Sequence, residues 1–492
     1  MTDCIASSLP SAPCGNRHAA VRQRFTLAFV ASGMFMAVLD TTIVNVALPA
    51  MRAHLGASVG ALAWIVDAYT LSFAALILAG GVASDRFGAK TVYLCGLASF
   101  VLASAACGLA PSVALLIAAR FAQGIGAALF LPASLAIVRA TFDDPAQRAK
   151  AIAAWAGIAS VAAAIGPVAG GLLVDAFGWR SAFLVNVPTG IAALAGAAMV
   201  VRATNPAKSR RFDWVGQIAS TVALAALCFA AIELPTRGIG AREVHVAFAL
   251  AVIATGLLIV AERRAADPMV PLAWFRNATF VAMNVSGTLV YVGYFGLLFV
   301  LSLYLHGVRG LDARHTGLAM LPMAASLSLG NVLAGKLQAR ASATHLMTIG
   351  LALATVAGPA MALALEWNAA WGLVFVAMTA FGIGTALSVP PMIATVLEQV
   401  PGESAGVASG LLNALRQAGS LLGVAFAGAA TLLCAQLSTA MIVVGVMAGL
   451  VYAGSAFYAG SAFLAARSAG TARAAATGIA GSRTRHAAEN WD

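Results

Sequence analysis

The sequence predicts an all-α membrane protein with fourteen transmembrane helices, and three observations support this fold class. Of the 492 residues, 61% are hydrophobic and only 10% are charged, whereas a soluble domain has roughly 45–50% and about 25%. Long apolar runs recur along the whole chain, and a spanning helix needs about 20 such residues. The basic residues lie in the short loops between these runs. The net charge of +11 therefore does not indicate nucleic-acid binding, which would require basic residues clustered on one exposed face.

The apolar runs define the predicted helices in order. The first 24 residues are polar and basic and lack a small-residue cleavage site, so we interpret the first run as a retained helix and not as a signal peptide. The fourteen runs lie at residues 25–49, 61–83, 91–110, 112–138, 150–173, 181–201, 214–234, 244–261, 280–305, 314–336, 344–365, 370–397, 406–435 and 437–465.

The distribution of basic residues predicts the orientation. With both termini on the same side, the loops and tails on that side contain 21 Lys and Arg residues, whereas those on the other side contain six. Cytoplasmic loops carry the excess of Lys and Arg. We therefore expect both termini in the cytoplasm of a multi-pass protein of a bacterial plasma membrane.

An internal repeat predicts two related halves. Residues 119–138 and 377–396 match at 10 of 20 positions with a shift of 258 residues, including an aligned GIG and the pair Pro132 and Pro390. Parallel repeats of this kind are typical of transporters that bind ligand between two halves. The predicted segments are a cytoplasmic tail (1–24), a six-helix bundle (25–201), an inserted helix pair with its flanking loops (202–279), a second six-helix bundle (280–465) and a basic cytoplasmic tail (466–492).

Other classes of protein find no support in the motifs. The six cysteines show no C-x-x-C pair and no metal-ligand spacing with the histidines. There is no G-x-x-x-x-G-K-[ST] and no H-E-x-x-H. We expect no enzymatic activity, no metal, no cofactor and no nucleic-acid partner, and we expect a monomer.

The segment GGVASDRFGAK (80–90) joins the second and third runs and predicts a conformational latch. Its glycines permit close helix approach and a tight turn, its acid can accept hydrogen bonds from the start of a neighbouring helix, and its basic residues anchor the loop. A generic basic turn is the alternative. The latch residues are Gly81, Asp85, Arg86, Gly88 and Lys90.

The fifth run contains GIASVAAAIGPVAGG, in which small residues let helices approach and a proline removes one amide donor and kinks the helix. A purely structural packing helix is compatible with the same pattern. The residues that define it are Gly157, Gly166, Pro167, Gly170 and Gly171.

Two acids, Asp40 and Asp67, lie well inside predicted helices at similar depth. A charge at the bilayer centre costs about 2.5–3.5 kcal/mol even on lenient scales, so both should face a protein-lined cavity and have a function. We expect Asp40 to exchange the proton and Asp67 to contact cationic substrate beside Trp64 and Tyr69. Alternatively, each acid only hydrogen-bonds a neighbouring helix.

Two arginines, Arg120 and Arg416, also lie inside predicted helices. The repeat places Met378 opposite Arg120, so this charge belongs to the N-terminal half alone and indicates a role beyond packing. Gln123 lies one turn away on the same face. For Arg416, structural and coupling roles remain equally open.

Aromatic and polar residues of the ninth run are predicted to form part of the wall of a central cavity, because polyspecific binding sites have hydrophobic walls with adaptable contacts. Helical aromatic residues also serve in ordinary packing. The predicted lining residues are Asn284, Tyr291, Tyr294 and Phe295.

Together these motifs resemble those of the major facilitator superfamily. Residues 80–90 are similar to its G-x-x-x-D-R-x-G-R-K loop signature, with a departure at Ala89, and the fifth run is similar to its antiporter motif. LDTTIVNVALP (39–49), WRSAFLVNVPTG (179–190) and RQAGSLLGVA (416–425) resemble the fourteen-helix drug:proton antiporter branch.

The resemblance extends from the first run to the last and has functional implications. It implies export of lipophilic, often cationic, drugs or antibiotics driven by inward proton flow, with Arg120 tied to proton coupling. The partners would then be small lipophilic substrates, protons and the lipid bilayer. A dedicated exporter of one metabolite or antibiotic and a non-transporting membrane sensor are the alternatives.

Overall fold

A computed structural model of the full chain describes residues 14–142, 144–202, 214–264, 271–338, 340–401 and 405–461. The predicted tail before residue 14, the loop 203–213 and the basic tail 466–492 lie outside these described residues.

The described residues form fifteen α-helices and one short 3-10 helix, and they contain no strand. The helices are α1 (Cys14–Leu55), α2 (Val59–Phe87), α3 (Ala89–Gly108), α4 (Val113–Thr141), α5 (Pro145–Phe177), α6 (Ser181–Leu184), α7 (Asn186–Val200), α8 (Trp214–Arg237), α9 (Arg242–Arg264), the 3-10 helix (Leu272–Arg276), α10 (Ala278–Gly307), α11 (Ala313–Leu337), α12 (Ala343–Glu366), α13 (Trp371–Glu398), α14 (Ala405–Leu433) and α15 (Leu437–Ser461).

Thirteen helical spans in the described residues are long and apolar enough to cross a membrane. One of them combines α6 and α7, and α14 adds a further helix of 29 residues. The fourteen-helix all-α fold predicted from the apolar runs is therefore confirmed.

The largest differences from the predicted boundaries are in the first and the sixth runs. The first helix begins at Cys14 and not near residue 25, and Arg22 Nε donates a hydrogen bond to the Val200 carbonyl of α7 at 3.1 Å. The sixth run is broken at Val185. Pro188 explains this break, because its ring clashes with the carbonyl four residues earlier and its nitrogen has no proton to donate.

The repeat has the same packing role in both halves. In α4, a Cβ added to Gly124 would meet the backbone of Tyr69 in α2, and in α13 one added to Gly382 would meet the backbone of Met323 in α11. These two glycines are related by the shift of 258 residues that aligns the GIG segments. Only glycine allows backbones this close, so the aligned glycines fix the same helix packing twice.

The two halves meet at one end of the molecule, where α5 ends and α11 begins, which we call the closed end. A Cβ on Gly171 of α5 would lie 2.7 Å from the Ala313 carbonyl of α11, and one on Gly317 would meet the Pro167 carbonyl. Ser302 of α10 donates a hydrogen bond to the Asn45 carbonyl of α1 at 2.6 Å. At the opposite end, no hydrogen bond joins the two halves within the described residues.

The inserted helices α8 and α9 lie at the side of the bundle. Gln217 of α8 hydrogen-bonds the Ala75 carbonyl of α2, and α8 also packs against α14. Helix α9 packs on α8, and many of its large apolar side chains are exposed. Within the described residues, the insert therefore contacts both halves mainly through α8, and the exposed face of α9 is suited to lipid.

Candidate substrate and proton site

An ion pair between Asp40 of α1 and Arg120 of α4 lies in the N-terminal half. Arg120 Nη1 donates a hydrogen bond to Asp40 Oδ2, and the two side chains are 0% and 1% exposed. Charges removed from water to this extent are stable only when paired and fully hydrogen-bonded. The ion pair is therefore stable only if neighbouring groups supply its remaining hydrogen bonds.

Two neutral side chains, Gln123 and Asn186, hydrogen-bond this pair, and a third, Ser104, hydrogen-bonds Gln123. Gln123 Nε2 donates to Asp40 Oδ1 at 2.8 Å and to Ser104 Oγ at 2.8 Å, and Gln123 Oε1 accepts from Arg120 Nη1 at 2.7 Å. Asn186 Nδ2 donates to Asp40 Oδ1 at 3.1 Å. We call these five residues, Asp40, Ser104, Arg120, Gln123 and Asn186, the buried polar cluster.

Backbone and aromatic groups hold the guanidinium in place. Arg120 Nε donates to the Ile65 carbonyl of α2 at 2.9 Å, and its Cζ lies 4.5 Å from the centre of the Tyr69 ring and 5.8 Å from that of Phe183. A cation over an aromatic face gains electrostatic energy that increases when water is excluded. Tyr69, predicted as a substrate contact, thus lies against Arg120.

The buried polar cluster adjoins a cavity between the two halves. Arg120 is the one member of the cluster that reaches this cavity. The cavity is lined by α1, α2, α4, α10 and α14 through Thr41, Val44, Asn45, Val66, Thr70, Arg120, Phe295, Gln417 and Ser420. Any ligand held there lies next to the cation that neutralises Asp40.

The second acid, Asp67, lies outside this cavity wall. It is fully buried and neither carboxylate oxygen has a hydrogen-bond partner within the described residues. Its neighbour one turn earlier, Trp64, donates to Glu233 Oε1 of α8 at 3.3 Å, and Cys228 of α8 interacts electrostatically with Asp67. Asp67 therefore lies on the side of α2 that packs against α8.

The four predicted lining residues of α10 occupy different environments. Phe295 lines the cavity, and Tyr291 lies one turn away with its ring centre 5.5 Å from that of Phe295. Tyr294 is buried and stacks on Phe381, and Asn284 is buried and donates to the Phe280 carbonyl at 2.8 Å. Only the Tyr291–Phe295 side of the helix faces the cavity region.

Arg416 of α14 lies beside Tyr291. Its Nη2 donates to the Tyr291 hydroxyl at 2.8 Å and its Cζ lies 4.7 Å from the ring centre. The next residue, Gln417, lines the cavity, as does Ser420 one turn later. This places the second intramembrane arginine at the cavity margin, in the other half from Arg120.

In the predicted latch loop, the tight turn is made by Gly88, whose φ of 84° is strained for other residues. Lys90 Nζ donates to the Ala198 carbonyl at 2.8 Å, and Arg86 lies over the Phe87 ring. Asp85 is exposed, and no hydrogen bond or ion pair joins it to the C-terminal half within the described residues.

The close approach predicted at Gly81 is corrected to its neighbour Gly80. A Cβ on Gly80 would meet the Ala128 carbonyl of α4, whereas one on Gly81 would meet nothing within 4 Å. Adjacent helical residues point about 100° apart, so only one of the two can face the neighbouring helix.

The small residues of α5 also separate by position. Pro167 and Gly171 contact α11 across the closed end, whereas Gly166 and Gly170 face Thr42 and Ile43 of α1. Gly157 has no neighbour within 4 Å of an added Cβ. Of the five residues that define the predicted antiporter motif, Pro167 and Gly171 therefore lie at the interface between the halves.

Sequence reasoning missed Asn186 and Ser104 as members of the buried polar cluster. Asn186 lies in the segment WRSAFLVNVPTG (179–190), and as a polar residue in an apolar run it could have been predicted as a site residue. Ser104 gave none, because serine is common in transmembrane helices, where it bonds its own backbone. Among the described residues, no group of three or more His, Cys, Asp or Glu could hold a metal ion.

This fold, with two related six-helix halves around a cavity and an intramembrane ion pair, defines a secondary membrane transporter by architecture. A family model described as Major Facilitator Superfamily matches residues 30–424. The chain belongs to the major facilitator superfamily.

Relatives in this family have names that refer to antibiotics. The chain is 38% identical to the methylenomycin A resistance protein of Bacillus subtilis (strain 168), over 82% of this chain and 86% of that protein. It is 37% identical to the multidrug resistance protein Stp of Mycobacterium tuberculosis (85% and 77%). It is 34% identical to the tetracenomycin C resistance and export protein of Streptomyces glaucescens (82% and 75%).

Solved structures share the fold at low sequence identity. The crystal structure of the POT family transporter PepTSo matches with a TM-score of 0.67 and 15% identity, over 90% of this chain and 98% of that chain. A bacterial homologue of the human lysosomal transporter Spinster matches with a TM-score of 0.63 and 18% identity, over 91% and 97%.

Proposed function

We propose that the protein exports lipophilic drugs or antibiotics across the bacterial plasma membrane in exchange for protons. The observation that carries this proposal is the buried pair of Asp40 and Arg120, which borders the cavity through Arg120. The relatives named for antibiotic resistance and export support the substrate class. We assign transport to the protein and no catalytic activity.

The proton is carried by Asp40. When Asp40 is ionised, it holds Arg120 through the ion pair and the hydrogen bonds of Gln123 and Asn186. Protonation removes the negative charge of Asp40, so the ion pair no longer holds Arg120 at this position. Because Arg120 lines the cavity, its release changes the cavity wall, and this couples the proton to the ligand by linkage.

The transport cycle alternates between two arrangements of the halves. The excess of basic residues in alternate loops supports cytoplasmic termini and a closed end on the outside of the membrane. In this arrangement Pro167 and Gly171 of α5 pack against α11 and close the outer side. Asp85 is exposed here and contacts the C-terminal half only when the cytoplasmic ends of the two halves come together. Rigid rocking of two packed halves is a common transporter motion.

Asp67 contributes to export of cationic compounds. Its carboxylate has no hydrogen-bond partner within the described residues, and Trp64 lies one turn away. An acid beside aromatic faces suits a lipophilic cation. Because α8 packs against α2 beside Asp67, this contact requires the two helices to move apart during the transport cycle.

We expect the protein to act as a monomer. Its export activity is tested in everted membrane vesicles of an efflux-deficient bacterial host. Addition of an exported compound should partly collapse an imposed pH gradient, and the Asp40→Asn variant at equal abundance should not. A gradient that no compound of a broad antibiotic panel alters would contradict the proposal and favour a non-transporting sensor.

A dedicated exporter of one antibiotic is the second candidate, because two relatives are named for single compounds. Growth tests in the same host separate the two. Resistance to chemically unrelated compounds supports multidrug export, whereas resistance to one structural class supports the dedicated exporter.

A further inference from the structure

Arg416 is an intramembrane cation without a counterion. Within the described residues no carboxylate lies within ion-pair distance of it, whereas the other intramembrane arginine, Arg120, is paired with Asp40. The Arg416 Nε is buried with no hydrogen-bond acceptor. A guanidinium in such surroundings carries a large cost unless an anion neutralises it.

The groups around Arg416 are donors. The Tyr291 hydroxyl accepts a hydrogen bond from Arg416 Nη2, so its own proton stays available to donate. Gln417 adds an amide donor and Ser420 a hydroxyl at the cavity wall. Together with the guanidinium, these groups complement a carboxylate or another small anionic group.

An apolar side chain that can contact the body of a ligand lies one turn further along α10. Phe295 lines the cavity at the position one turn after Tyr291, and a helical turn spans about 5.4 Å. An organic acid with an apolar body of several ångströms therefore has its body against Phe295 when its anionic group lies at Arg416.

No acid competes with a bound anion at this place. Asp40 is satisfied by Arg120, and Asp67 faces α8. Among the described residues, the titratable side chains nearest the cavity thus sum to one uncompensated positive charge, that of Arg416. Arg416 precedes Ser420 in α14 and therefore lies further from the closed end, on the side from which substrate enters in this arrangement.

We propose that Arg416 and Tyr291, with Gln417 and Ser420, form a subsite for the anionic group of lipophilic monoanions such as aromatic carboxylates. This inference rests on the proposed export function and adds a substrate class to it. Arg416 then determines the acceptance of anionic substrates, whereas Asp67 serves cationic ones, and Asp40 and Arg120 remain responsible for the proton.

The test is equilibrium binding of two matched probes to the purified full-length protein in lipid nanodiscs. Radiolabelled 1-naphthaleneacetate is a lipophilic carboxylate, and 1-naphthaleneacetamide has the same hydrocarbon body without charge. The wild type should bind the acid on the order of tenfold more tightly than the amide, as expected for a charge-assisted hydrogen bond. Wild-type binding without preference for the acid would overturn the proposal.

Variants separate recognition from folding. Arg416→Gln should weaken acid binding about tenfold and leave amide binding within about twofold, Arg416→Lys should retain part of the preference, and Tyr291→Phe should cost about threefold. Arg263→Gln, at the exposed end of α9, removes one positive charge far from the cavity and should change neither. Equal loss of both probes in Arg416→Gln, with the Arg263→Gln control intact, would show a structural role and overturn the proposal.

Failure of the proposed function has a different result. If wild-type vesicles export no compound of the antibiotic panel, proton-driven export is contradicted. The preference for the acid is measured without a gradient and without transport, so it is decided independently by the binding data.

Discussion

Arg120 of α4 donates a hydrogen bond to the carboxylate of Asp40 in α1, 80 residues earlier in the chain, and neither side chain is more than 1% exposed. The pair is hydrogen-bonded by Gln123, Asn186 and the Ile65 carbonyl. It connects four helices of the N-terminal half, α1, α2, α4 and α7, to the cavity. The C-terminal half has Met378, and no arginine, at the position related to Arg120 by the repeat.

The pair should behave as a coupled unit in stability measurements. Arg120→Met leaves Asp40 buried without its counterion, which costs about 3–5 kcal/mol in comparable buried pairs. The double variant Asp40→Asn with Arg120→Met should lose less stability than the two single variants together. Thermal unfolding of the purified protein in one detergent checks this, and additive losses would show that the two residues act independently.

The contact between α5 and α11 should be sensitive to size at one glycine and insensitive at another. Gly171→Val places methyl groups against the Ala313 carbonyl of α11, so the closed end no longer seals and export falls at least about tenfold with near-normal abundance. The matched control is Gly157→Val, where nothing lies within 4 Å. Normal export by Gly171→Val, or equal loss in the control, would argue against a seal at this place.

The Asp67 carboxyl should lower the stability of the fold while it supports export of cations. Its carboxylate oxygens have no partners within the described residues, and burying an unpaired charge costs more than burying a neutral amide in the same place. Asp67→Asn should therefore raise the melting temperature while reducing export of ethidium more than export of a neutral antibiotic. A lower melting temperature with unchanged ethidium export would indicate a structural acid.

The inserted pair should be needed to cover Asp67. Helix α8 contacts α2 through Trp64 and Glu233 and through Gln217 and the Ala75 carbonyl. Replacing residues 214–261 by a short linker exposes Asp67 to lipid and should reduce the amount of folded protein. Asp67→Leu in the deleted protein should restore it, because an apolar side chain tolerates lipid contact. Equal abundance of the deletion with and without Asp67→Leu would contradict this role of α8.

Much of the fold could be predicted from the sequence because hydrophobic length and the repeat are strong signals. The apolar runs gave fourteen helices, and the aligned GIG segments pack in the same way in both halves, through Gly124 and Gly382. Helix ends were less predictable. The break at Val185 depends on Pro188, whose effect within an apolar run competes with packing and is not visible in hydropathy.

The candidate site was only partly predictable, because periodicity gives the face of a helix but not its neighbour. Asp40, Arg120 and Gln123 stood out as rare polar groups in apolar runs, and the structure brings them together. Asp67 stood out by the same rule, yet it faces α8, whose position at the side of the bundle no local pattern reveals. Arg416 was noticed, but its neighbour Tyr291 lies 125 residues away in sequence.

The assignment of the proton to Asp40 is tested most directly by proton release from the purified protein. The compound that gives the strongest resistance in the growth panel is added to unbuffered protein in detergent, and the pH change is recorded with a fluorescent indicator. The wild type should release protons in proportion to the ligand bound, Asp67→Asn should also release them, and Asp40→Asn should release none. Proton release by Asp40→Asn equal to that of the wild type, at equal ligand binding, would contradict this assignment.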